Sequence, residues 1–391
     1  MNIETNKNYF CIVCNSANFL ILLHLDSFPL YFGALPKNYH STVSQYPLTI
    51  ALCKECNLVQ QTDRVEESIM NNVYEADYYN CPSPTGSGMG ICEIQKFYHF
   101  FNSIKLNKGK LLEIGCFDGY LLNELQKEEW DVYGIDPSNA TTNIVNNFPT
   151  GHIKSSFFDN KSFPNELFDV IIFRNLLEHI YNPNEFLRNV TNRLNENGYI
   201  FIDVPNIKAL NAAGGIGSFF HQHISYFSIE SMQFLLRQHG FNVIKYHEGS
   251  PNLFVCSKKE RWMPKKINKE NINDNLYDIA DKIKAKMKKA ISIFETNKNI
   301  VLFGASLICT TIINSLDKKD KEKIKYIFDN DKTKHGRYIF NCNITIQAPK
   351  KLNDNACDII FILTWIFSDE ILDQLLKIGY RREQVVCIAD L

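Results

Sequence analysis

Short, almost continuous apolar runs alternate with amphipathic stretches through the middle of the chain. The runs cover residues 111–114, 132–135, 168–173 and 199–204, and glycines or polar residues border them. Segments with helical spacing follow the first run and begin again at about Asn184. Apolar runs of this length, alternating with helices, are typical of parallel strands covered on both faces. The pattern predicts an open α/β sheet that binds ligands at the carboxyl ends of its strands.

The patterning divides the chain into four predicted parts. Residues 1–90 hold paired cysteines and end in a turn-rich stretch, which is either a lid over the site or a plain linker. Residues 91–260 carry the strand and helix alternation, and residues 261–297 form a basic linker with an amphipathic helix. Residues 298–391 begin again with a strand, a glycine turn and a helix, which predicts a second, smaller Rossmann-like unit.

Composition narrows the choice of function. The chain has 391 residues with 45% hydrophobic content, enough for two or three cores, and its net charge of −1 argues against a nucleic-acid partner. No apolar run approaches the ~18 residues of a membrane span, and no secretory signal is visible. The expected location is the cytoplasm, with no membrane partner. In that setting the 12 cysteines indicate thiols and metal binding, not disulfides.

Four of those cysteines form two C-x-x-C pairs. Cys11 and Cys14 make the first pair, and Cys53 and Cys56 make the second. Each pair can direct two thiolates at one ion, and two pairs complete a tetrahedral zinc site. Such a site has no open position, so the zinc would be structural. The alternative is two pairs of buried thiols.

The segment Lys110–Pro137 carries the clearest chemistry. It reads KLLEIGCFDGYLLNELQKEEWDVYGIDP: a strand, a glycine turn, a helix and a second strand that ends on an acid. Such a unit binds a cofactor that contains adenosine. The glycines, which have no side chain, let the backbone approach the ligand closely, and the acid binds the ribose hydroxyls. A dinucleotide fingerprint would need glycines where Phe117 and Tyr120 stand. The pattern E-x-G-x-x-x-G instead resembles the first motif of class I S-adenosylmethionine (SAM) methyltransferases.

The resemblance assigns cofactor roles by position. Asp136 is expected to bind the ribose hydroxyls, and Phe157 to flank the adenine. Arg174 and Asn175 follow a strand and are expected to line the methyl-transfer side, while His179 supports the loop. The complete predicted cofactor set is Glu113, Gly115, Cys116, Phe117, Gly119, Asp136, Pro137, Phe157, Arg174, Asn175 and His179.

Three separate regions together resemble one family, the SAM-dependent C-methyltransferases of nucleotide-linked deoxysugars. The resemblance rests on the cysteine pairs, on EIGCFDG and NLLEHI, and on GASLICTTIINSL, FDND and TWIFSDEI in the last third. It implies an N-terminal zinc module, a class I methyltransferase Rossmann-like core and a C-terminal Rossmann-like domain. It also implies a small-molecule substrate, a nucleotide-linked keto-deoxysugar, with SAM and structural Zn²⁺ as cofactors.

The same resemblance locates the general base. The family has Tyr-His-Glu-His where this chain has Phe220-His221-Gln222-His223, and the second histidine is the base. His223 is therefore the expected base, with His221 as the other candidate. The predicted substrate-binding residues are Tyr78, Tyr79, Asn206 and Tyr226.

Three alternatives stay open at this point. An O-methyltransferase would need only a base, and Phe220 and Gln222 replace the family's tyrosine and glutamate. A module that binds SAM or a nucleotide without catalysis is the second alternative. An NAD-dependent enzyme that uses the C-terminal unit is the third.

Overall fold

The computed structural model describes residues 5–7, 10–31, 33–37, 43–75, 88–212, 215–249, 252–259, 276–353, 356–365 and 367–391. Its strands are β1 (Thr5–Lys7), β2 (Phe19–Pro29), β3 (Gln45–Cys53), β4 (Val59–Gln61), β5 (Asp63–Val65), β6 (Lys110–Ile114), β7 (Asp131–Ile135), β8 (Ile153–Lys154), β9 (Phe168–Arg174), β10 (Leu194–Pro205), β11 (Ser225–Tyr226), β12 (Phe241–Glu248), β13 (Asn252–Lys259), β14 (Ile300–Phe303), β15 (Ile324–Phe328), β16 (Ile346–Gln347), β17 (Ile359–Ile362) and β18 (Val385–Cys387). Its α-helices are α1 (Glu67–Glu75), α2 (Gly88–Asn102), α3 (Tyr120–Lys127), α4 (Asn139–Ile144), α5 (Pro183–Arg193), α6 (Ile207–Ala212), α7 (Ile229–Gln238), α8 (Ile279–Thr296), α9 (Leu307–Ser315), α10 (Lys318–Lys321) and α11 (Ser368–Ile378).

The central sheet has seven strands in the order β12-β13-β10-β9-β6-β7-β8. The five strands from β10 to β8 are parallel, and β13 runs antiparallel to both of its neighbours. Successive side chains of β6 pack on opposite faces of the sheet: Leu112 lies in one apolar cluster and Leu111 in another. Burial on both faces explains the continuous apolar runs, and it confirms the predicted open α/β sheet.

A four-stranded antiparallel sheet lies on the amino-terminal side of the chain. Its order is β11-β4-β3-β2. The edge strand β11 comes from the segment after β10, and Ser225 and Tyr226 pair with Gln60 and Val59 of β4. The cysteine-bearing part of the chain is therefore joined by a strand pair to the segment that carries His221 and His223.

The last sheet is parallel, in the order β16-β15-β14-β17-β18. Helix α9 starts at the turn after β14, where the Ser306 hydroxyl accepts a hydrogen bond from the Cys309 N–H. This arrangement confirms the expected Rossmann-like unit. Among the described residues, no helix has both the length and the apolar character that crossing a bilayer requires.

Contacts join the last sheet to the rest of the molecule. Leu35 and Tyr338 form an isolated antiparallel bridge between the first and last thirds of the chain. Gly217, with φ of 73°, lies against α9, and a Cβ there would come within 2.7 Å of the Ile308 backbone nitrogen. Only a glycine allows so close an approach of the two backbones.

Candidate active site and cysteine cluster

The turn after β6 forms the floor of the candidate cofactor site. Gly115, Phe117 and Gly119 have φ of 83°, 44° and 69°, so the chain is in the left-handed region three times within five residues. The turn is fixed by hydrogen bonds, with the Thr141 hydroxyl donating to the Phe117 carbonyl at 2.8 Å. A Cβ on Gly119 would lie 2.6 Å from a methyl carbon of Ile144. The predicted glycine turn thus has the left-handed backbone conformation that glycine favours, and ligand binding by it stays a prediction.

Three carboxylates surround this turn. Glu113 is buried in β6, and burial raises its pKa to about 8, with the nearby Asp118 and Asp136 raising it further and Arg174 opposing them. Its Oε2 atom has no hydrogen-bond partner among the described residues. SAM brings a sulfonium and an ammonium group, so an unpartnered buried carboxyl among other acids fits it. The neighbouring Cys116 is 4% exposed, and contact between its backbone and a ligand stays a prediction.

Asp136 stands at the tip of β7, as predicted. Its Oδ1 accepts a hydrogen bond from the Ser138 N–H at 2.8 Å, which fixes the carboxylate, and the side chain is partly exposed. Pro137, the next residue, is exposed, and so is Phe157. Strand β8 covers only Ile153–Lys154, so a loop carries Phe157.

The tip of β9 separates two residues that the sequence predicted together. Asn175 is exposed with φ of 46°, and its N–H donates to the Asp203 carbonyl at 2.7 Å. The Arg174 guanidinium is 3.3 Å from the buried carboxylate of Asp203 and lies over the Phe97 ring of α2. Arg174 thus pairs with a buried charge, and a position beside the reacting methyl group stays a prediction for both residues.

His223 and His179 meet beyond the carboxyl ends of the central strands. Their rings form an edge contact with centroids 4.7 Å apart, and each is partly buried. Ligand atoms of Glu178, His179 and His223 lie within 4.8 Å of one another. Burial lowers the pKa of His179 to about 4. Burial and the nearby His179 lower the pKa of His223 well below its usual range, so its imidazole is neutral near pH 7.

His221 points into a different environment. It is 1% exposed, its Nε2 lies 3.1 Å from the Phe28 carbonyl, and its ring packs against Phe28 and Tyr46 of the antiparallel sheet. A turn closed by the His223 N–H and the Phe220 carbonyl sends the two imidazoles in different directions. The structure thus gives His221 a packing role and leaves His223 as the candidate base.

The predicted substrate residues are also engaged in local structure where they are described. The Tyr226 side chain is buried, and its hydroxyl accepts a hydrogen bond from the Phe220 N–H. The Asn206 amide donates to the Gly249 carbonyl at 2.9 Å and its oxygen accepts from the Lys208 N–H. Tyr78 and Tyr79 lie outside the described residues. Substrate binding by these four residues stays a prediction.

Sequence reasoning missed three buried residues that shape the site. Glu178 lies in the NLLEHI segment beside His179, and burial raises its pKa well above the usual range. Asp203 pairs with Arg174, and burial raises its pKa to about 6 against the opposing effect of that arginine. Gln61 contacts the histidine segment from the antiparallel sheet. Asp203 could have been recognised as a candidate site residue, because it is a charged residue within an apolar run. No local sequence pattern distinguishes Gln61.

The two cysteine pairs come together as predicted. The Cys11 and Cys56 sulfurs lie 3.5 Å apart, as do those of Cys14 and Cys53, and all four lie within 4.8 Å of one another. Zn–S bonds of 2.3 Å in a tetrahedron separate sulfurs by roughly 3.8 Å, so the cluster has the dimensions of a zinc site.

The two knuckles also have the same backbone conformation. Asn15 and Asn57 follow them, both with φ of 59°. Each asparagine N–H donates to the carbonyl of the first cysteine of its knuckle at 2.9 Å. Two separate segments of sequence therefore form matching halves of one site.

The turn in the last sheet differs from that of a dinucleotide site. Asp329, after β15, uses Oδ2 to accept hydrogen bonds from the Ala305 N–H at 2.8 Å and from the Lys334 ammonium at 3.1 Å. The side chain is 7% exposed. The acid that would bind a ribose in such a site instead fixes its own turn, which disfavours the NAD-dependent alternative.

Comparison with known proteins adds to this geometry. Residues 90–246 match a family described as a methyltransferase domain, and residues 244–388 match a C-methyltransferase C-terminal domain. The C-methyltransferase NovU of Streptomyces niveus is 22% identical over 389 residues, covering 93% of this chain and 91% of that protein.

Two further likenesses are confined to part of the chain. A ubiquinone biosynthesis O-methyltransferase of Rickettsia canadensis is 29% identical over 119 residues, 29% of this chain and 49% of that protein. The PH0226 protein of Pyrococcus horikoshii, a solved structure, is 14% identical with a TM-score of 0.40, covering 48% of this chain and 99% of that one.

Proposed function

We propose that this chain, a SAM-dependent methyltransferase with the C-terminal domain of the C-methyltransferases, methylates a carbon atom of a nucleotide-linked keto-deoxysugar. Its central sheet is that of a class I methyltransferase, with one reversed strand, β13, next to β10. The observation that carries the proposal is the neutral, partly exposed His223 beyond the ends of the same strands that hold the cofactor turn.

Methylation of carbon needs a proton to be removed first. SAM supplies an electrophilic methyl group, and the protein must create a carbon nucleophile next to the keto group of the acceptor. His223 is the proposed base that takes this proton, because its imidazole is neutral near pH 7 and its Nδ1 has no hydrogen-bond partner among the described residues. Its lowered pKa makes it a weaker base than an exposed histidine, so contacts that stabilise the imidazolium matter. The imidazolium that forms is within 4.8 Å of the Glu178 carboxyl group, whose ionised form the new positive charge favours.

The cofactor residues have complementary tasks in this proposal. The turn from Gly115 to Gly119 offers backbone groups to the amino-acid end of SAM, and Glu113 offers a carboxylate to its positive charge. Asp136 binds the ribose hydroxyls, and Phe157 covers the adenine from an exposed position.

We further propose that Cys11, Cys14, Cys53 and Cys56 hold Zn²⁺ in a structural role. The sulfur separations fit a tetrahedral ion, and four protein ligands leave no open position for substrate. The ion would fix the two knuckles against the rest of the molecule, where the Asn184 amide donates to the Ile12 and Val13 carbonyls.

Methylation of oxygen is the second candidate function. Phe220 packs on His223 with ring centroids 4.1 Å apart, at the position where the family has a tyrosine with a hydroxyl group. Deprotonation of a sugar hydroxyl requires only a base, whereas an enolate also requires a group that stabilises its oxygen. Treatment of the product with an ether-cleaving reagent separates the two, since only a methyl on oxygen is released.

The variant His223→Asn tests the proposed base. We expect SAM binding, measured by calorimetry, to keep its wild-type dissociation constant while turnover falls at least about 100-fold, the lower end of what a general base contributes. His99→Asn, on the exposed face of α2, is the matched control and should keep both values. Wild-type turnover in His223→Asn would rule out this residue as the base.

A further inference from the structure

Gln61 contacts the histidine segment, residues 220–224, at almost every peptide unit. Its Nε2 lies 2.8 Å, 3.1 Å and 2.6 Å from the carbonyl oxygens of Phe220, His221 and His223. Its backbone N–H also donates to the Ile224 carbonyl at 2.9 Å. We propose that Gln61 is a positioning residue that fixes the direction of the His223 imidazole, a role that rests on the function proposed above.

The chemistry of the contacts fixes the orientation of the Gln61 amide. Carbonyl oxygens only accept hydrogen bonds, so the NH₂ group must face all three of them. Gln61 is 0% exposed, and its Oε1 atom is consequently buried without a hydrogen-bond partner among the described residues. An unpartnered buried oxygen is unfavourable; on the other atom, the two hydrogens of the NH₂ group are shared among three carbonyl oxygens.

The methyltransferase core holds the same segment from the opposite side. The Ile224 N–H donates to the Glu178 carbonyl at 2.7 Å, and His179 Nδ1 lies 2.8 Å from the Gln222 carbonyl. Because a carbonyl accepts, His179 Nδ1 carries the hydrogen in that contact. The segment is therefore fixed between the ends of the central strands and the antiparallel sheet, and Gln61 supplies the second of these two supports.

Gln61 also connects the histidine segment to the cysteine cluster. Its neighbour Gln60 accepts a hydrogen bond from the Ile12 N–H, inside the first knuckle, at 3.0 Å. Strand β4 thus bonds one knuckle through Gln60 and the histidine segment through Gln61. By this path the cysteine module, which contributes no reacting group, determines where the base points.

The full-length variant Gln61→Met tests the proposal, because methionine has a similar length and no donor. We expect kcat to fall at least about tenfold with the KM for SAM unchanged, since a displacement of about 1 Å can reduce rates by up to 100-fold. The control is Gln45→Met in β3, where the side chain is exposed and accepts a hydrogen bond from the Ser27 hydroxyl. It should keep the wild-type kcat.

A second measurement needs no substrate. The NMR signal of the His223 imidazole, identified by its loss in His223→Asn, should shift in Gln61→Met, while that of His335, which follows β15 of the last sheet, stays in place. An unmoved His223 signal together with wild-type kcat would overturn the role of Gln61. If Gln61→Met does not fold, Gln61→Asn decides, because its shorter amide should move the same signal.

The two proposals fail in different ways. A wild-type protein without turnover on any keto-sugar nucleotide would refute the proposed function, and the His223 signal would then decide the role of Gln61 alone. Normal turnover in the wild type and in Gln61→Met would refute only the positioning role.

Discussion

Replacing Glu113 by glutamine should stabilise the ligand-free protein, and increasingly so as the pH rises. Burial raises the pKa of Glu113 from 4.5 to about 8. Between these values the folded protein binds a proton that the unfolded chain has lost, so stability falls as the pH rises from 4.5 to about 8. Glutamine has the shape of the protonated acid and carries no charge at either pH.

The size of the effect follows from the same shift. One pKa unit corresponds to about 1.4 kcal/mol. In acid, Glu113 is protonated in both the folded and the unfolded state. Relative to that condition, the free energy of unfolding of the wild type should fall by about 2 kcal/mol at about pH 6 and by about 4 kcal/mol at about pH 8. Glu113→Gln removes this loss, so its advantage should grow by about 2 kcal/mol between those two conditions.

Urea unfolding of both proteins at the two pH values measures this difference. Glu124→Gln on α3 is the control, because its carboxylate is paired with Lys127 at the surface, 2.6 Å away, and the change should leave the pH dependence as it is. SAM binding should reverse the order, since a cationic ligand favours the carboxylate. An advantage of Glu113→Gln that does not grow with pH would refute the assignment of a protonated, buried Glu113.

Two further variants test other parts of the structure. Cys53→Ser should lower the metal content measured by atomic absorption and the melting temperature of the protein, because it removes one of four ligands; an unchanged metal content would contradict the zinc proposal. Gly217→Ala should destabilise the protein by about 1–3 kcal/mol in thermal unfolding, because its Cβ would meet the Ile308 backbone. Gly336→Ala is the control, because Gly336 also has a positive φ but has open space where the Cβ would lie. An equal loss of stability in Gly336→Ala would show that the contact with Ile308 is not the cause.

Local pattern was enough to predict four strands of the central sheet, β6, β7, β9 and β10, but not β12 and β13. The run FDVIIF became β9, and the helix expected from about Asn184 became α5, which starts at Pro183. The amphipathic helix predicted within residues 261–297 is α8. These elements depend on periodicity within ten or so residues, and a sequence displays that directly.

The candidate site depended on contacts that no local pattern displays. His221 and His223 are two residues apart, yet a turn places one imidazole against Phe28 and the other against His179. Gln61 contacts a segment about 160 residues away in sequence. The partnership of β4 with β11 joins the same distant regions. Only the folded chain shows which of several polar residues meet.

The most direct test of the proposed function is transfer of an isotope-labelled methyl group from SAM. The protein would be incubated with a panel of nucleotide-linked keto-deoxysugars, and the product examined by carbon NMR. We predict that the label appears as a methyl bonded to carbon next to the former keto group. A label bonded to oxygen, or no transfer to any sugar of the panel, would contradict the proposal.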